Sequence, residues 1–100
     1  MMEEPKPKLN IELGEKEAEG IYSNLVLISH SPSEFIIDFA RMLPGQPKAR
    51  VFSRIVMTPP NAKALLETLK RNMDMYEEKH GAVKLPGKQE PSQGIGFRQG

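Results

Sequence analysis

The sequence predicts an α+β domain, in which an antiparallel β-meander of three to four strands is followed by one long C-terminal α-helix packed on the sheet. Two observations carry this prediction. Short apolar stretches bounded by glycine, proline and serine fill the chain up to residue 57, a pattern typical of strands joined by turns. From residue 59 onward, apolar residues recur every three or four positions, which is typical of an amphipathic helix.

The chain length of 100 residues suits a single domain, which we predict over residues 8–82, between disordered tails at residues 1–7 and 83–100. A folded unit of that size buries a modest fraction of its surface and is only marginally stable alone. The sequence contains no cysteine, so no disulfide can add stability. Association between copies is the remaining common way to bury more surface, and we expect a homodimer or tetramer.

Charge and hydropathy argue against two classes of partner. The net charge of +1 gives no field that would drive nucleic-acid binding, so nucleic acid is a disfavoured partner. No stretch is long and apolar enough to span a membrane, and the first residues lack the basic and apolar regions of a signal peptide. We therefore expect a cytoplasmic protein that does not bind membranes.

The first strand is predicted at residues 9–13, where apolar and polar residues alternate. A charged connector at residues 15–19 follows, either as a loop or as one helical turn. The second strand, at residues 21–30, is the most apolar segment, and Leu25 to Ile28 form an uninterrupted apolar run. A strand that is apolar on both sides is typically covered on both sides, and the sequence leaves open which of its faces joins the core.

The third and fourth strands, residues 34–42 and 49–58, are joined by a Pro-Gly turn and are expected to pair as a hairpin. One register gives an apolar face and a mixed face that are both chemically consistent. That register places four pairs opposite each other: Phe39 with Ser53, Ile37 with Ile55, Asp38 with Arg54, and Met42 with Arg50.

The helix is predicted to begin after Thr58, which can cap it while the following prolines occupy its first turn, and to end at Gly81. Met75 points away from its apolar stripe, which contains Ala62, Leu65, Leu66, Leu69, Met73 and Tyr76. The stripe is expected to share a core with the sheet. The predicted core residues are Val26, Ile28, Phe35, Ile37, Phe39, Val51, Ile55, Leu65, Leu66, Leu69 and Met73.

Two further groups of residues are candidate binding surfaces. Apolar residues left outside the predicted core indicate an oligomer or partner surface, because a monomer of this size rarely exposes so large an apolar patch. These residues are Leu25, Leu27, Ile36, Phe52 and Val56. Residues 41–60 contain four cations and no acid, which indicates a candidate anion-binding patch. Its members are Arg41, Lys48, Arg50 and Arg54.

The sequence offers no arrangement typical of catalysis or metal binding. His30 and His80 have no acidic cluster around them. Glu34 and Asp38 fall on one strand face about 13 Å apart, farther than the paired carboxylates of glycosidases. We expect no enzymatic activity, no catalytic residue, no metal and no cofactor.

Four motifs carry a resemblance to a known family: AEGIYSN at 18–24, SEFIIDF at 33–39, RIVMTP at 54–59, and the helix ending in Tyr76-Glu77. With these motifs the chain resembles a small uncharacterised prokaryotic family, a domain of unknown function, over roughly residues 8–82. This resemblance implies no known activity and assigns no catalytic residue.

A second resemblance is one of architecture, without a shared motif. Four meandering strands followed by a long helix are similar to the subunit of the SecB export chaperone, which pairs subunits through their sheets and binds unfolded chains in apolar grooves. The sequence therefore favours a non-enzymatic oligomer that binds a polypeptide in a chaperone-like way. The alternative is a nucleic-acid-binding protein that uses the basic strand patch.

Overall fold

The computed structural model of the chain describes residues 9–86 and has the predicted α+β arrangement. A short helix, α1 (Glu15–Glu19), precedes three strands, β1 (Leu25–His30), β2 (Phe35–Arg41) and β3 (Arg50–Met57), and a long helix, α2 (Pro59–His80), follows them. The three strands form one antiparallel sheet in the order β1-β2-β3, so that β2 lies in the centre. The predicted tails are residues 1–7, which lie outside the described residues, and residues 83–100, of which 87–100 also lie outside; both stay predictions.

The predicted strand at residues 9–13 is wrong, since this segment has no regular secondary structure and its Leu9, Ile11 and Leu13 side chains are exposed. Alternation of apolar and polar residues describes an extended segment, but a strand also needs a neighbour to pair with. Within the described residues, the outer edges of β1 and β3 have no such partner. The meander therefore has three strands, and the charged connector forms the one-turn helix α1.

The first strand of the sheet begins at Leu25, four residues later than predicted at residue 21. The two residues before it are tied to the end of β2 by their side chains. The Ser23 hydroxyl donates a hydrogen bond to the Ala40 carbonyl oxygen (2.9 Å). The Asn24 amide donates to the Met42 carbonyl oxygen (3.0 Å) and accepts from the Met42 N–H (2.8 Å). These bonds fix where β1 joins the sheet.

Two tight turns form as their residues predict. The Ser31 hydroxyl accepts hydrogen bonds from the Ser33 and Glu34 N–H groups, which closes the turn between β1 and β2. After β2, the Gln46 N–H donates to the Leu43 carbonyl oxygen (3.0 Å), and Gly45 has a positive φ of 82°. Glycine suits this position because other residues adopt a positive φ only with strain.

The β2–β3 register confirms three of the four predicted pairs, including Phe39 opposite Ser53. Ile37 lies opposite Ile55, and Asp38 lies opposite Arg54. A β-bulge then shifts the register between Phe39 and Ala40, so that Arg50 pairs with Arg41 instead of the predicted Met42. A bulge sets two residues of one strand against one residue of the other. The predicted register assumed one-to-one pairing along both strands and therefore could not contain a bulge.

The helix α2 has the predicted ends. The Thr58 side chain accepts a hydrogen bond from the Asn61 N–H, and Pro59 and Pro60 occupy the first two positions. At the other end Gly81, with φ 93°, donates its N–H to the Glu77 carbonyl oxygen (2.8 Å). Along the exposed side of α2, Lys70 and Asp74 form an ion pair at 3.0 Å.

The predicted packing of the helix on the sheet is wrong for a single chain. α2 has no buried residue and makes no extensive contact with any strand. Of the predicted core residues only Ile37 is buried, while Phe35 and Phe39 are half-buried. The other predicted core residues are exposed: Val26, Ile28, Val51, Ile55, Leu65, Leu66, Leu69 and Met73.

The described buried residues all belong to β2: Ile37, Asp38 and Ala40. They are covered because β2 has a neighbouring strand on each side. The reason that the helix contributes no cover lies in its connection to β3, which consists of Thr58 alone. With only one residue between the two elements, the chain has little room to reverse and return over the sheet.

Candidate functional site

The register assigns the strand residues to two faces of the sheet, because side chains alternate along a strand. One, which we call the apolar face, contains Val26, Ile28, Phe35, Ile37, Phe39, Ile55 and Met57. The other, which we call the ion-pair face, contains Leu25, Leu27, Ile36, Asp38, Ala40, Val51, Arg54 and Val56.

The centre of the ion-pair face is occupied by a bidentate ion pair between β2 and β3. Arg54 donates from Nε to Asp38 Oδ1 (2.7 Å) and from a terminal nitrogen to Asp38 Oδ2 (2.8 Å). Asp38 is only 2% exposed. The hydrogen bonds from Arg54 lower the pKa of Asp38 below its ordinary 3.8, outweighing burial, which alone would raise that pKa. The same bonds raise the pKa of Arg54.

The structure brings four of the five predicted partner-surface residues together on the ion-pair face. Leu25, Leu27 and Ile36 are half-buried there, and Val56 is 53% exposed. Phe52 lies apart from them, because the bulge moves it beside Arg41 and Arg50. The ion-pair face therefore offers an apolar surface on either side of one fixed charge pair.

The cations that the sequence singled out separate into two groups. Arg41 and Arg50 place their guanidinium carbons 4.2 Å and 5.6 Å from the centre of the Phe52 ring. Lys48 lines the same cavity of about 380 Å³, whose remaining walls are Leu43, Gln46 and Ala49. We call Arg41, Lys48 and Arg50 the basic cluster. Arg54 does not belong to it, because both oxygens of Asp38 hold its guanidinium.

Within the part of the chain that the structure describes, no acidic residue lines the cavity of the basic cluster. Among residues 9–86 none of its three cations forms an ion pair. The Arg41 Nε atom is buried and has no hydrogen-bond partner among these residues. An unpaired buried donor is costly, and the three cations make the cavity beside it electropositive.

Two exposed apolar surfaces are formed by residues that the sequence assigned to the core. On the apolar face, Val26, Ile28 and Ile55 are 46%, 58% and 43% exposed. Along α2, every large member of the apolar stripe is exposed, and the stripe leads into an open recess of about 640 Å³ near Val83. Sequence reasoning missed these surfaces, and the signal that could have found them is the single residue between β3 and α2.

A comparison with protein families identifies the family of the chain. A family described as "Protein of unknown function (DUF3467)" matches residues 1–85. The chain belongs to this family. The resemblance predicted from its motifs is thereby confirmed, and the DUF3467 match begins before and ends after the predicted residues 8–82. No curated protein and no solved structure matches the chain, so the architectural likeness to SecB stays a prediction.

The motifs of this DUF3467 chain coincide with the contacts that hold its sheet together. Ser23 and Asn24 supply the side chains that attach β1 to the end of β2. Asp38 and Arg54 form the bidentate pair across β2 and β3. Thr58 and Pro59 form the connection to α2. These motifs therefore account for the architecture of the sheet and for the direction in which the helix leaves it.

Two classes of site are missing from the part of the chain that the structure describes. No helix between residues 9 and 86 is both long enough and apolar enough to cross a membrane. Within the same residues no three histidine, aspartate or glutamate side chains gather where they could hold a metal ion.

Proposed function

We propose that this DUF3467 protein is a non-enzymatic, homo-oligomeric, cytoplasmic module that binds segments of other polypeptides through the ion-pair face. The observation that carries the proposal is the apolar surface formed by the half-buried Leu25, Leu27 and Ile36 with the exposed Val56, which lies on a sheet rather than in an enclosed pocket. Such an open surface suits side chains of varied shape.

The unpaired edges of the sheet also support polypeptide binding. β1 and β3 each present an outer edge that has no neighbouring strand within the described residues. An extended peptide can add to such an edge through main-chain hydrogen bonds, which do not depend on peptide sequence. The apolar residues of the ion-pair face then contribute contacts to its side chains. This combination fits a binder of unfolded segments, in the manner of a chaperone.

The non-enzymatic part of the proposal is supported by the hydrogen bonding of Asp38, the buried ionisable residue. Both oxygens of the Asp38 carboxylate accept hydrogen bonds from Arg54. A carboxylate held in this way is stabilised as an anion and is unsuited to accept a proton from a substrate. The group is therefore best explained as a structural element of the sheet.

The proposal is tested by the ability of the protein to keep an unfolded polypeptide in solution. We expect the wild-type chain to suppress the light scattering of a permanently unfolded, carboxymethylated protein and to bind it in fluorescence anisotropy. Val56→Asp places a charge on the ion-pair face and should abolish both effects. Val83→Asp is the matched control, because it makes the same change at an exposed valine beyond α2. No suppression by the wild type, or equal loss in both variants, would contradict the proposal.

A second candidate function is supported by the basic cluster. Two guanidinium groups against an aromatic ring, beside a lysine and without a neighbouring acid, are the side chains that single-stranded nucleic acid contacts through phosphates and bases. We rank it second because the net charge of the chain is only +1. Salt-dependent binding of a labelled single-stranded oligonucleotide that requires Arg41 and Arg50 would support it.

A further inference from the structure

Two apolar surfaces on this chain are largely uncovered within the described residues; α1 and Ile21 approach the apolar face only at its Phe39 end. The apolar face exposes Val26, Ile28 and Ile55, and its strand positions include no aspartate, glutamate, lysine or arginine before the bulge. The stripe of α2 exposes Leu65, Leu66, Leu69, Met73 and Tyr76. Sheet faces and helix stripes of this kind are stable when they pack on each other. Both surfaces are apolar, so each could bury the other.

The connection between β3 and α2 explains why the two surfaces do not meet within one chain. It consists of Thr58, whose φ of −74° and ψ of 158° are extended. Pro59 restricts Thr58 to such conformations, and Pro59 and Pro60 have φ fixed by their rings. The chain therefore cannot fold back sharply at this point. A short, stiff connection that prevents packing within the chain favours packing between chains.

The two surfaces also match in length. The apolar stripe from Ala62 to Tyr76 spans fourteen residue steps, or about 21 Å along a helix. β1, with six residues, and β3, with eight, are about 20 Å and 27 Å long. A single α2 helix can therefore lie along the apolar face with its stripe in contact over the length of the strands.

We propose that two copies of this chain exchange helices, so that the α2 stripe of each copy packs on the apolar face of the other. This inference rests on the oligomeric part of the proposed function and names the surfaces that form the oligomer. Because the contact is reciprocal, a two-fold dimer makes it twice and leaves neither surface exposed. The ion-pair face stays on the outside of the dimer, where a polypeptide can reach it.

The first test uses the two methionines that differ only in their side of the helix. Met73 lies on the apolar stripe and Met75 lies off it, although both line the recess near Val83 and both are exposed in one chain, at 40% and 58%. We expect the wild-type chain to have the mass of a dimer by light scattering. Met73→Glu should shift it to a monomer, and Met75→Glu should leave the dimer intact. A monomer would leave both residues in solvent and would give the two variants the same mass.

The second test distinguishes helix exchange from any other contact between copies. Ile28→Lys places a charge on the apolar face and should also give a monomer. A mixture of Met73→Glu and Ile28→Lys should form a heterodimer, because one of its two contacts is wild type and the other pairs Glu with Lys. Far-UV circular dichroism of each variant checks that α2 remains helical, so that loss of the dimer is not loss of the fold.

The possible outcomes test helix exchange and the oligomeric part of the proposed function separately. A wild-type monomer at all concentrations would overturn both helix exchange and the oligomeric part of the proposed function. A dimer that Met73→Glu leaves intact, or two monomeric variants that do not form a heterodimer on mixing, would overturn helix exchange alone. Binding of unfolded polypeptide is measured separately through Val56→Asp, and its loss or retention does not affect this inference.

Discussion

Asp38 of β2 and Arg54 of β3 form a bidentate ion pair in which the carboxylate is buried and the arginine is 60% exposed in its side chain. This asymmetry gives the two residues different roles. Asp38 depends on Arg54 for its hydrogen bonds, since burial of a carboxylate without partners is costly. Arg54 in turn is removed from the neighbouring basic cluster, and it orders the ion-pair face instead of binding an external anion.

The first prediction concerns the pH dependence of stability. The pKa of Asp38 is lower in the folded chain than its unfolded value, so the folded state binds this proton less tightly. Its stabilising contribution is present above about pH 4 and is lost as the pH falls through the folded pKa. Arg54→Met leaves burial as the dominant effect and should raise that pKa. The variant then loses stability from Asp38 as the pH rises.

We therefore expect the difference in unfolding free energy between wild type and Arg54→Met to grow as the pH rises from about 3 to about 6. Urea unfolding at a fixed protein concentration measures it. Lys70→Met is the control, because it breaks an exposed pair worth about 0.3–0.5 kcal/mol on α2. Parallel pH curves for wild type and Arg54→Met would contradict the role assigned to Asp38.

A second prediction concerns the attachment of β1. Asn24→Ala removes the two hydrogen bonds between its amide and the Met42 backbone. At about 0.5–1.5 kcal/mol for each bond, the loss should be about 1–3 kcal/mol of unfolding free energy. Asn72→Ala is the matched control, because its amide donates only to the Thr68 carbonyl oxygen within α2 and alanine favours a helix. Equal effects of the two substitutions in denaturant unfolding would argue against the attachment.

Much of this fold could be predicted from the sequence, because its signals are local. The Thr58 cap, the positive φ of Gly45 and the pairing of Asp38 with Arg54 all follow from residue chemistry at short range. The bulge beside Ala40 could not be predicted, since no local pattern marks it. Because the predicted register did not include the bulge, it placed Arg50 opposite Met42 instead of Arg41.

The candidate sites were predicted less completely, because they depend on where whole elements lie. The stripe of α2 was assigned to a core on the assumption that a helix after a sheet returns to cover it. That return depends on the length of the connection, and here only Thr58 separates Met57 from Pro59. An amphipathic pattern indicates that one side of a helix is buried. It does not show whether the same chain or a second copy covers that side.

A third prediction tests the basic cluster. Arg41→Gln combined with Arg50→Gln should weaken binding of a single-stranded oligonucleotide if the second candidate function holds. Loss of two phosphate contacts should lower the slope of log affinity against log salt by about 1.4. Lys63→Gln combined with Arg71→Gln removes the same charge from α2 and should leave the slope unchanged. Equal slopes for both double variants would show that only net charge is sensed.

The last prediction concerns the connection that directs helix exchange. Inserting about eight glycine and serine residues after Thr58 adds a flexible span of roughly 16 Å, enough for α2 to turn back toward its own sheet. The same stripe can then pack on the apolar face of the same chain, where its effective concentration exceeds that of a second copy. We expect light scattering to give a monomer that keeps its helix content.

The same insertion within the turn at Gly45 is the control, since that turn joins β2 to β3 and leaves the connection to α2 unchanged. That variant should remain a dimer. If lengthening the connection after Thr58 leaves the dimer intact, the stiffness of that connection is not what keeps α2 from its own sheet. If it produces a monomer that Met73→Glu then destabilises more than Met75→Glu, the stripe and the apolar face have met within one chain.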